Sequence, residues 1–258
     1  MRLIDEAQLD YILQDGENMV KVCEKTSHTH DAENSNYASA VEGLDEVLAY
    51  VREQRPWVIW ENVENGGQMM TFKMVQQYDT SIICDDMDTI PTREAIYGAT
   101  YPFSLRYTAR YMRVRPTLYT TRSSMFGGPW ILMQRLTELS SSERSLLKSE
   151  IARYKNMRQL FRSAKVFHLR PVLGGAGWDA ISAIKDKAEG VIFVFRGKGG
   201  NATETFYPKG LNNDRVYRIT FADRADVIVR TGADLKQNGI SVSLPSESSE
   251  IITITAEQ

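Results

Sequence analysis

The sequence predicts an α/β protein in two parts: a parallel sheet or barrel, then an antiparallel β-sandwich. Through about residue 164, short apolar runs alternate with amphipathic segments, the βαβα texture of parallel sheets. After Lys165 the texture changes to strand runs broken by turns at short intervals, which suits a sandwich of about 90 residues. The expected division is therefore 1–164 and 165–258, with the boundary near 164–166.

Each element follows from its pattern. Y-I-L (11–13), W-V-I-W (57–60), S-I-I-C (81–84) and Y-M-R-V (111–114) are too short for helices and precede polar or glycine-containing turns, as buried parallel strands do. Between them, A-S-A-V-E-G-L-D-E-V-L-A-Y-V-R (38–52) places Val41, Leu44, Leu48 and Val51 on one helical stripe. M-M-T-F-K-M-V-Q-Q (69–77) reads similarly. The segment 140–162 opens with serines and Glu143, which suits an N-cap. It continues as one long amphipathic helix whose register buries Leu146 or Leu147, Ile151, Tyr154 and Leu160. Beyond Lys165 the strand runs are V-F-H-L, G-V-I-F-V-F-R, R-V-Y-R-I-T-F, V-I-V-R and E-I-I-T-I-T. K-G-G-N (198–201) and G-L-N-N-D (210–214) serve as turns.

Bulk properties narrow the function. A hydrophobic share of 42% over 258 residues supports a substantial core. A net charge of −2 supplies no basic field for nucleic acid or an anionic membrane. No run reaches the ~20 apolar residues of a spanning helix. Cys23 and Cys84 alone make no disulfide framework and fit a reducing compartment, so the expectation is a cytoplasmic protein acting on a small molecule.

Acidic clusters follow three of the expected strands: Asp15 with Glu17, Glu61 with Glu64, and Asp85 with Asp86 and Asp88. In parallel α/β proteins the strand ends carry the chemistry. A single cluster is explained by helix capping; three on one rim are harder to explain so. Converging carboxylates serve either a Mg²⁺ or Ca²⁺ site, here Asp85, Asp86 and Asp88, or a glycosidase pair about 5 Å apart in retaining enzymes. Trp57, Trp60, Tyr97, Tyr101, Phe103 and Tyr107 suit sugar faces but equally suit a core. Cys23, His28 and His30 match no standard zinc spacing. G-K-G-G (197–200) lies between strands and reads as a hairpin turn, and Met69, Met70 and Met74 read as helix packing. His168, inside a strand, reads as structural.

Eight segments in order carry a resemblance: D-Y-I-L-Q-D (10–15), W-E-N-V-E-N-G-G (60–67), C-D-D-M-D-T-I-P-T-R (84–93), Y-K-N-M-R (154–158), W-D-A-I (178–181), F-V-F-R (193–196), P-K-G-L (208–211) and S-E-I (249–251). Together they resemble the carboxyl-terminal half of α-galactosidases of glycoside hydrolase family 36, the melibiases, over nearly the whole chain. The resemblance implies about half of a (β/α) TIM-type barrel, strands four to eight, followed by a C-terminal β-sandwich. It implies a retaining glycosidase that acts on a small oligosaccharide or α-glycoside, with no metal and no cofactor. Asp15 stands where the family pattern K-x-D has its nucleophile, and Asp85 where S-D-x-x-D has its acid/base. Asp88 is that pattern's second acid and Arg93 lies near its arginine. Substrate-binding positions are then Trp60, Glu61, Asn62, Gly66, Gly67, Asp88 and Arg93. The mechanism requires Asp15 ionised and Asp85 protonated.

This chain departs from the pattern at three places. Leu13 replaces the lysine before the nucleophile, Val63 replaces the cysteine of E-x-C-x-x-G-G, and Q-M-M replaces the arginine after the glycines. Half a barrel would expose parallel edges, so a homo-oligomer, a dimer or tetramer, is expected to cover them.

Overall fold

The computed structural model describes residues 1–15, 23–29 and 37–257. It contains both parallel and antiparallel sheets, and the chain divides into two compact units, Met1–Asp85 and Asp86–Gln258. Among the described residues no helix is long and apolar enough to cross a membrane.

The first unit alternates helix and strand: α1 (Arg2–Ala7), β1 (Tyr11–Gln14), α2 (Tyr37–Gln54), β2 (Ile59–Asn62), α3 (Phe72–Gln77) and β3 (Thr80–Ser81). The strands form one parallel sheet in the order β1-β2-β3. Tyr11 pairs with Ile59 and Gln14 with Asn62, while Glu61 pairs with Thr80. Ile12 and Trp60 point to one face of this sheet and pack with Ile4, Val51 and Val58. Trp60 and Leu44 also meet Leu48, Met74 and Tyr78, so one indole joins the two apolar clusters. The expected stripe of α2 is therefore present at Leu44, Leu48 and Val51, while the side chain of Val41 lies outside the described residues. Helix α3 begins at Phe72 rather than Met69, because the Thr71 hydroxyl accepts from the Met74 N–H and fixes the start.

The second unit holds α4 (Thr89–Ala99), β4 (Arg110–Met112), α5 (Leu118–Ser123), β5 (Trp130–Leu132) and α6 (Ser141–Phe161). These are followed by β6 (Lys165–Arg170), β7 (Trp178–Lys185), β8 (Glu189–Arg196), β9 (Thr203–Phe206), β10 (Val216–Phe221), β11 (Val227–Thr231), α7 (Gly232–Asn238), β12 (Ile240–Ser243) and β13 (Ser248–Ala256). Strands β4 and β5 form a two-stranded parallel sheet. The later strands build a six-stranded antiparallel sheet in the order β11-β10-β13-β8-β7-β6, and β9 pairs with β12. Helix α6 starts as expected, with a capping box in which Ser140 and Glu143 satisfy each other's backbone N–H groups. Its buried face is Leu147, Glu150, Met157, Leu160 and Phe161, whereas Ile151 and Tyr154 are half-buried.

The central strands of the six-stranded sheet are covered on both faces. Ile192 and Val194 of β8 join Ile252, Ile254, Phe206, Leu235, Ile240 and Val242 in the core shared with β9, β12 and α7. The alternate residues of β8 turn the other way. Phe193 lies 5.3 Å from Phe126 and 6.5 Å from Phe161, and Phe195 lies 6.0 Å from Tyr119, ring centre to ring centre. The helical layer of α5 and α6 thus takes the place of solvent. This is why V-I-F-V-F (191–195) is apolar at every position instead of every second one. It is also why residues 86–164 share a compact unit with the strands that start at Lys165.

Arg122 fastens that layer. Its side chain is fully buried; Nε donates to Glu150 Oε2 of α6 at 3.0 Å, and Nη1 donates to Asp223 Oδ2 at 2.6 Å and to the Ser249 carbonyl at 3.1 Å. Burial works against its charge, but the Asp223 and Glu150 carboxylates outweigh it and hold the guanidinium above its ordinary pKa. Arg153 adds a second cation to Glu150 at 3.2 Å. Removing one partner of such a buried network costs about 3–5 kcal/mol.

Candidate active site

The parallel ladder sets where the two expected catalytic aspartates emerge. Asp15 follows β1 directly, and Asp85 follows β3 by four residues; both are exposed. Strands β1 and β3 flank β2, so the two acids leave alternate strands of one sheet, at the same carboxyl-terminal end. Backbone pairing continues past the strand ends: Val63 N–H donates to the Gln14 carbonyl at 2.9 Å and Ile82 N–H to the Asn62 carbonyl at 2.8 Å. These bonds fix the backbone up to the residue before Asp15 and to within three residues of Asp85.

Gly66 and Gly67 fix Asp85 from the other side. Both adopt left-handed φ values, 56° and 96°. A Cβ on Gly66 would sit 2.6 Å from Asp85 Cγ and 2.7 Å from Asp85 N, and one on Gly67 would sit 2.8 Å from the Ile83 carbonyl oxygen. The glycine pair therefore allows the turn after β2 to lie directly against Ile83–Asp85. Only a residue without Cβ allows both the φ and the approach.

The other expected sugar contacts divide by burial. Glu61 is fully buried at 0% exposure and accepts a hydrogen bond from the Tyr11 hydroxyl; its Oε1 has no hydrogen-bond partner. Burial pushes its carboxyl above the ordinary range, and the Tyr11 bond opposes that. Asn62, 2% exposed, donates to Ser81 Oγ at 3.3 Å and leaves Oδ1 without a partner. Trp60 is half-buried between the two apolar clusters. Arg93, on α4, is 4% exposed: Nη1 donates to Ser123 Oγ and Nη2 to the Tyr119 hydroxyl, both at 2.9 Å. Its guanidinium carbon lies 4.7 Å from the Tyr119 ring centre and 4.4 Å from that of Phe195. Glu61, Asn62 and Arg93, expected as substrate-binding positions, are enclosed, each with polar or aromatic partners from other elements.

Asp88 is exposed and occupies the N-cap position of α4, without a side-chain cap bond. Asp86 accepts the Asp88 N–H through Oδ1 at 2.9 Å and so braces that helix start. Among the described residues no three His, Cys, Asp or Glu side chains are arranged to hold a metal ion, which leaves the Asp85, Asp86 and Asp88 cation reading without support. Cys23 Sγ and His28 Nε2 are 3.4 Å apart; Glu17 and His30 lie outside the described residues, as does the Glu64 side chain. His168 sits in β6 as a structural group. Its Nε2 is 3.0 Å from both Thr100 Oγ1 and the Tyr97 carbonyl, and its ring stacks on Tyr101 at 3.8 Å. Trp57 and Tyr101 are exposed, whereas Tyr97, Phe103 and Tyr107 are half-buried.

Tyr11 and Asp179 escaped the sequence reading as functional-class residues. Tyr11 meets Glu61 only through the β1–β2 register, and Asp179 meets Arg93 only through the packing of β7 on α4. Neither juxtaposition has a sequence signal.

No family model matches the chain. It is 22% identical over 204 residues to α-galactosidase 1 of Pediococcus pentosaceus, covering 75% of this chain and 28% of that protein. It is 23% identical over 224 residues to α-galactosidase AgaA of Geobacillus stearothermophilus, covering 82% of this chain and 30% of that protein. The chain therefore spans less than a third of the length of these curated relatives. Among solved structures, 99% of the chain superposes on 36% of the GH36 α-galactosidase AgaB from Geobacillus stearothermophilus, with a TM-score of 0.85 and 17% identity. A variant of AgaA in complex with raffinose matches with a TM-score of 0.79 and 20% identity over 96% of this chain and 35% of that one. Another AgaA variant, in complex with stachyose, matches at 0.82 and 17% over 99% and 37%.

Gly66→Ala is expected to destabilise the first unit by about 1–3 kcal/mol through left-handed strain and the clash with Asp85. Urea unfolding of the two chains checks this, and equal stabilities would remove the role given to the glycine turn. In sequence and in fold, the chain resembles the carboxyl-terminal region of family 36 α-galactosidases.

Proposed function

We propose that the chain is part of a retaining α-glycosidase, specifically an α-galactosidase that removes terminal α-galactosyl residues by double displacement. The observation that carries this reading is the pair of exposed aspartates leaving alternate strands of one parallel sheet, at the two positions of the family pattern. In the proposed reaction Asp15 attacks the anomeric carbon while Asp85 protonates the departing oxygen. Asp85 then takes a proton from the water that releases the sugar from Asp15. Raffinose and stachyose, bound by the AgaA variants, define the oligosaccharide class proposed as substrate.

Gly66, Gly67 and Asp88 stand at the turns that border the two acids in sequence, and we assign them to the substrate-binding rim. Trp60, Glu61 and Asn62 are assigned as support for the strand ends of the first unit, and Arg93 as support for α4 of the second, as their burial favours. The five parallel strands β1 to β5 serve as the barrel portion within 1–164, and 165–258 serves as the sandwich. No cofactor takes part. Two cysteines in the whole sequence, Cys23 and Cys84, are too few for a disulfide framework and suit the cytoplasm.

The face of β1 and β2 opposite Trp60 supports a homo-oligomer. Tyr11, Leu13 and Ile59 on that face are exposed, and β1 pairs only with β2 among the described strands. A second copy of the chain, in a dimer or tetramer, is the cover proposed for these exposed apolar side chains. Light scattering is expected to give a multiple of about 29 kDa, and a monodisperse monomer would contradict it.

One observation favours a second reading. Leu13, 44% exposed, stands where the pattern has a cation for the sugar, which suits a carbohydrate-binding or assembly protein without catalysis. Aryl α-galactoside hydrolysis separates the two: the glycosidase reading expects turnover that falls on the order of a thousandfold or more in Asp15→Ala. Unchanged turnover in that variant would remove the nucleophile, and sugar binding without hydrolysis by the folded chain would favour the second reading.

A further inference from the structure

Asp179 is the unexplained acid of the second unit. It lies in β7, paired across the sheet with Phe195, and its side chain is only 5% exposed. Its Oδ2 lies 3.2 Å from Arg93 Nη2, yet it makes no hydrogen bond, and Arg93 Nε is likewise without a partner. Both orphaned atoms belong to side chains that border a cavity of about 10 Å³, lined further by Ile96, Ser123, Phe126 and Ile181. A mainly apolar cavity of that size is at the lower limit for a single water and leaves both atoms without a sure partner. Two buried charges joined by one imperfect contact cost folding free energy instead of supplying it, and an apolar or neutral pair of the same shape would cost less.

We propose that Asp179 is a positioning residue: its carboxylate, held at a cost to stability, anchors α4 through Arg93 and so fixes the helix that carries Asp88 at its N-cap. The charges facing it are few. From α4 come Arg93 and Glu94; from α5 come Arg122, already engaged by Glu150 and Asp223, and the Tyr119 hydroxyl, which accepts from Arg93. Tyr97 of α4 also borders the cavity, while β8 contributes only Phe195. Glu94 accepts the Gly174 N–H at 3.1 Å, which ties the same helix to the loop before β7.

Burial pushes the Asp179 carboxyl from 3.8 up to about 7; Arg93 pulls it down and Glu94 pushes it further up. The folded chain therefore holds this proton more tightly than the unfolded chain. The group's contribution to stability is fully present below about pH 3.8 and is lost as pH rises through about 7. Above that pH the anchor is charged and the fold bears its cost.

Asp179→Asn, made in the full chain, keeps the shape and removes the charge. Two readouts follow: the thermal midpoint from pH 5 to 8, and amide hydrogen exchange of α4 by mass spectrometry at pH 8. The variant is expected to lack the wild-type fall in midpoint and to unfold at an equal or higher temperature than wild type at pH 8. Its α4 amides should nevertheless exchange about tenfold faster, the equilibrium factor of one pKa unit. A variant that unfolds earlier at pH 8, or fails to fold, overturns the proposal, because an ordinary stabilising ion pair would behave so. A higher midpoint with α4 exchange unchanged overturns it as well. The link to Asp88 rests on the glycosidase reading, but neither readout needs a substrate, so failure of the anchor and failure of that reading are distinguishable.

Discussion

The site depends on the register of one parallel ladder. Residues 11–14, 59–62 and 80–81 are far apart in the chain, and their backbone bonds bring the ends of β1 and β3 to either side of β2. A slip of one residue would turn Ile12 and Trp60 out of the apolar clusters and send Tyr11, Leu13 and Glu61 into them. The hydrophobic pattern holds the register, and the register places Asp15 and Asp85. The glycine turn at 66–67 refines this by letting backbone, not side chain, touch the segment that ends in Asp85.

The second unit solves a different problem. Its central strands bury both faces, so it needs cover on two sides, and the helical layer supplies one of them. Apolar packing between Phe126, Phe161 and Phe193 gives that layer adhesion without direction. Direction comes from Arg122, which ties α5 to α6, to Asp223 and to the β13 backbone at once. Arg110 does the same within residues 105–130, donating to the carbonyls of Thr108, Ser124, Met125 and Gly128, and burial draws its pKa down to about 10. Buried arginines are thus the unit's alignment devices.

Much of this was legible in the residues. The alternation of strand and helix, the serine and glutamate at the start of α6, and the strand runs after Lys165 each follow from local chemistry. Strands β9 and β12 were not legible, being four residues long without an apolar run; β5 is apolar but only three residues long, and β7 was hidden by Asp179 and Ser182 inside it. Both polar residues are buried, which reverses the usual inference from polarity to surface. Of the site, the strand-end aspartates and the glycines could be read from motif and position. The enclosure of Glu61, Asn62 and Arg93 could not, because it depends on Tyr11, Ser81, Ser123 and Tyr119 arriving from other elements.

In the proposed reaction Asp15 forms a covalent bond to the sugar. That step is tested most directly by incubating the folded chain with an activated 2-deoxy-2-fluoro α-galactoside and mapping any added mass by peptide mass spectrometry. The slow second step of such a reagent should leave one glycosyl unit on the peptide that contains Asp15, and none after Asp15→Ala. A label on another residue, or no label on wild type, would contradict the account.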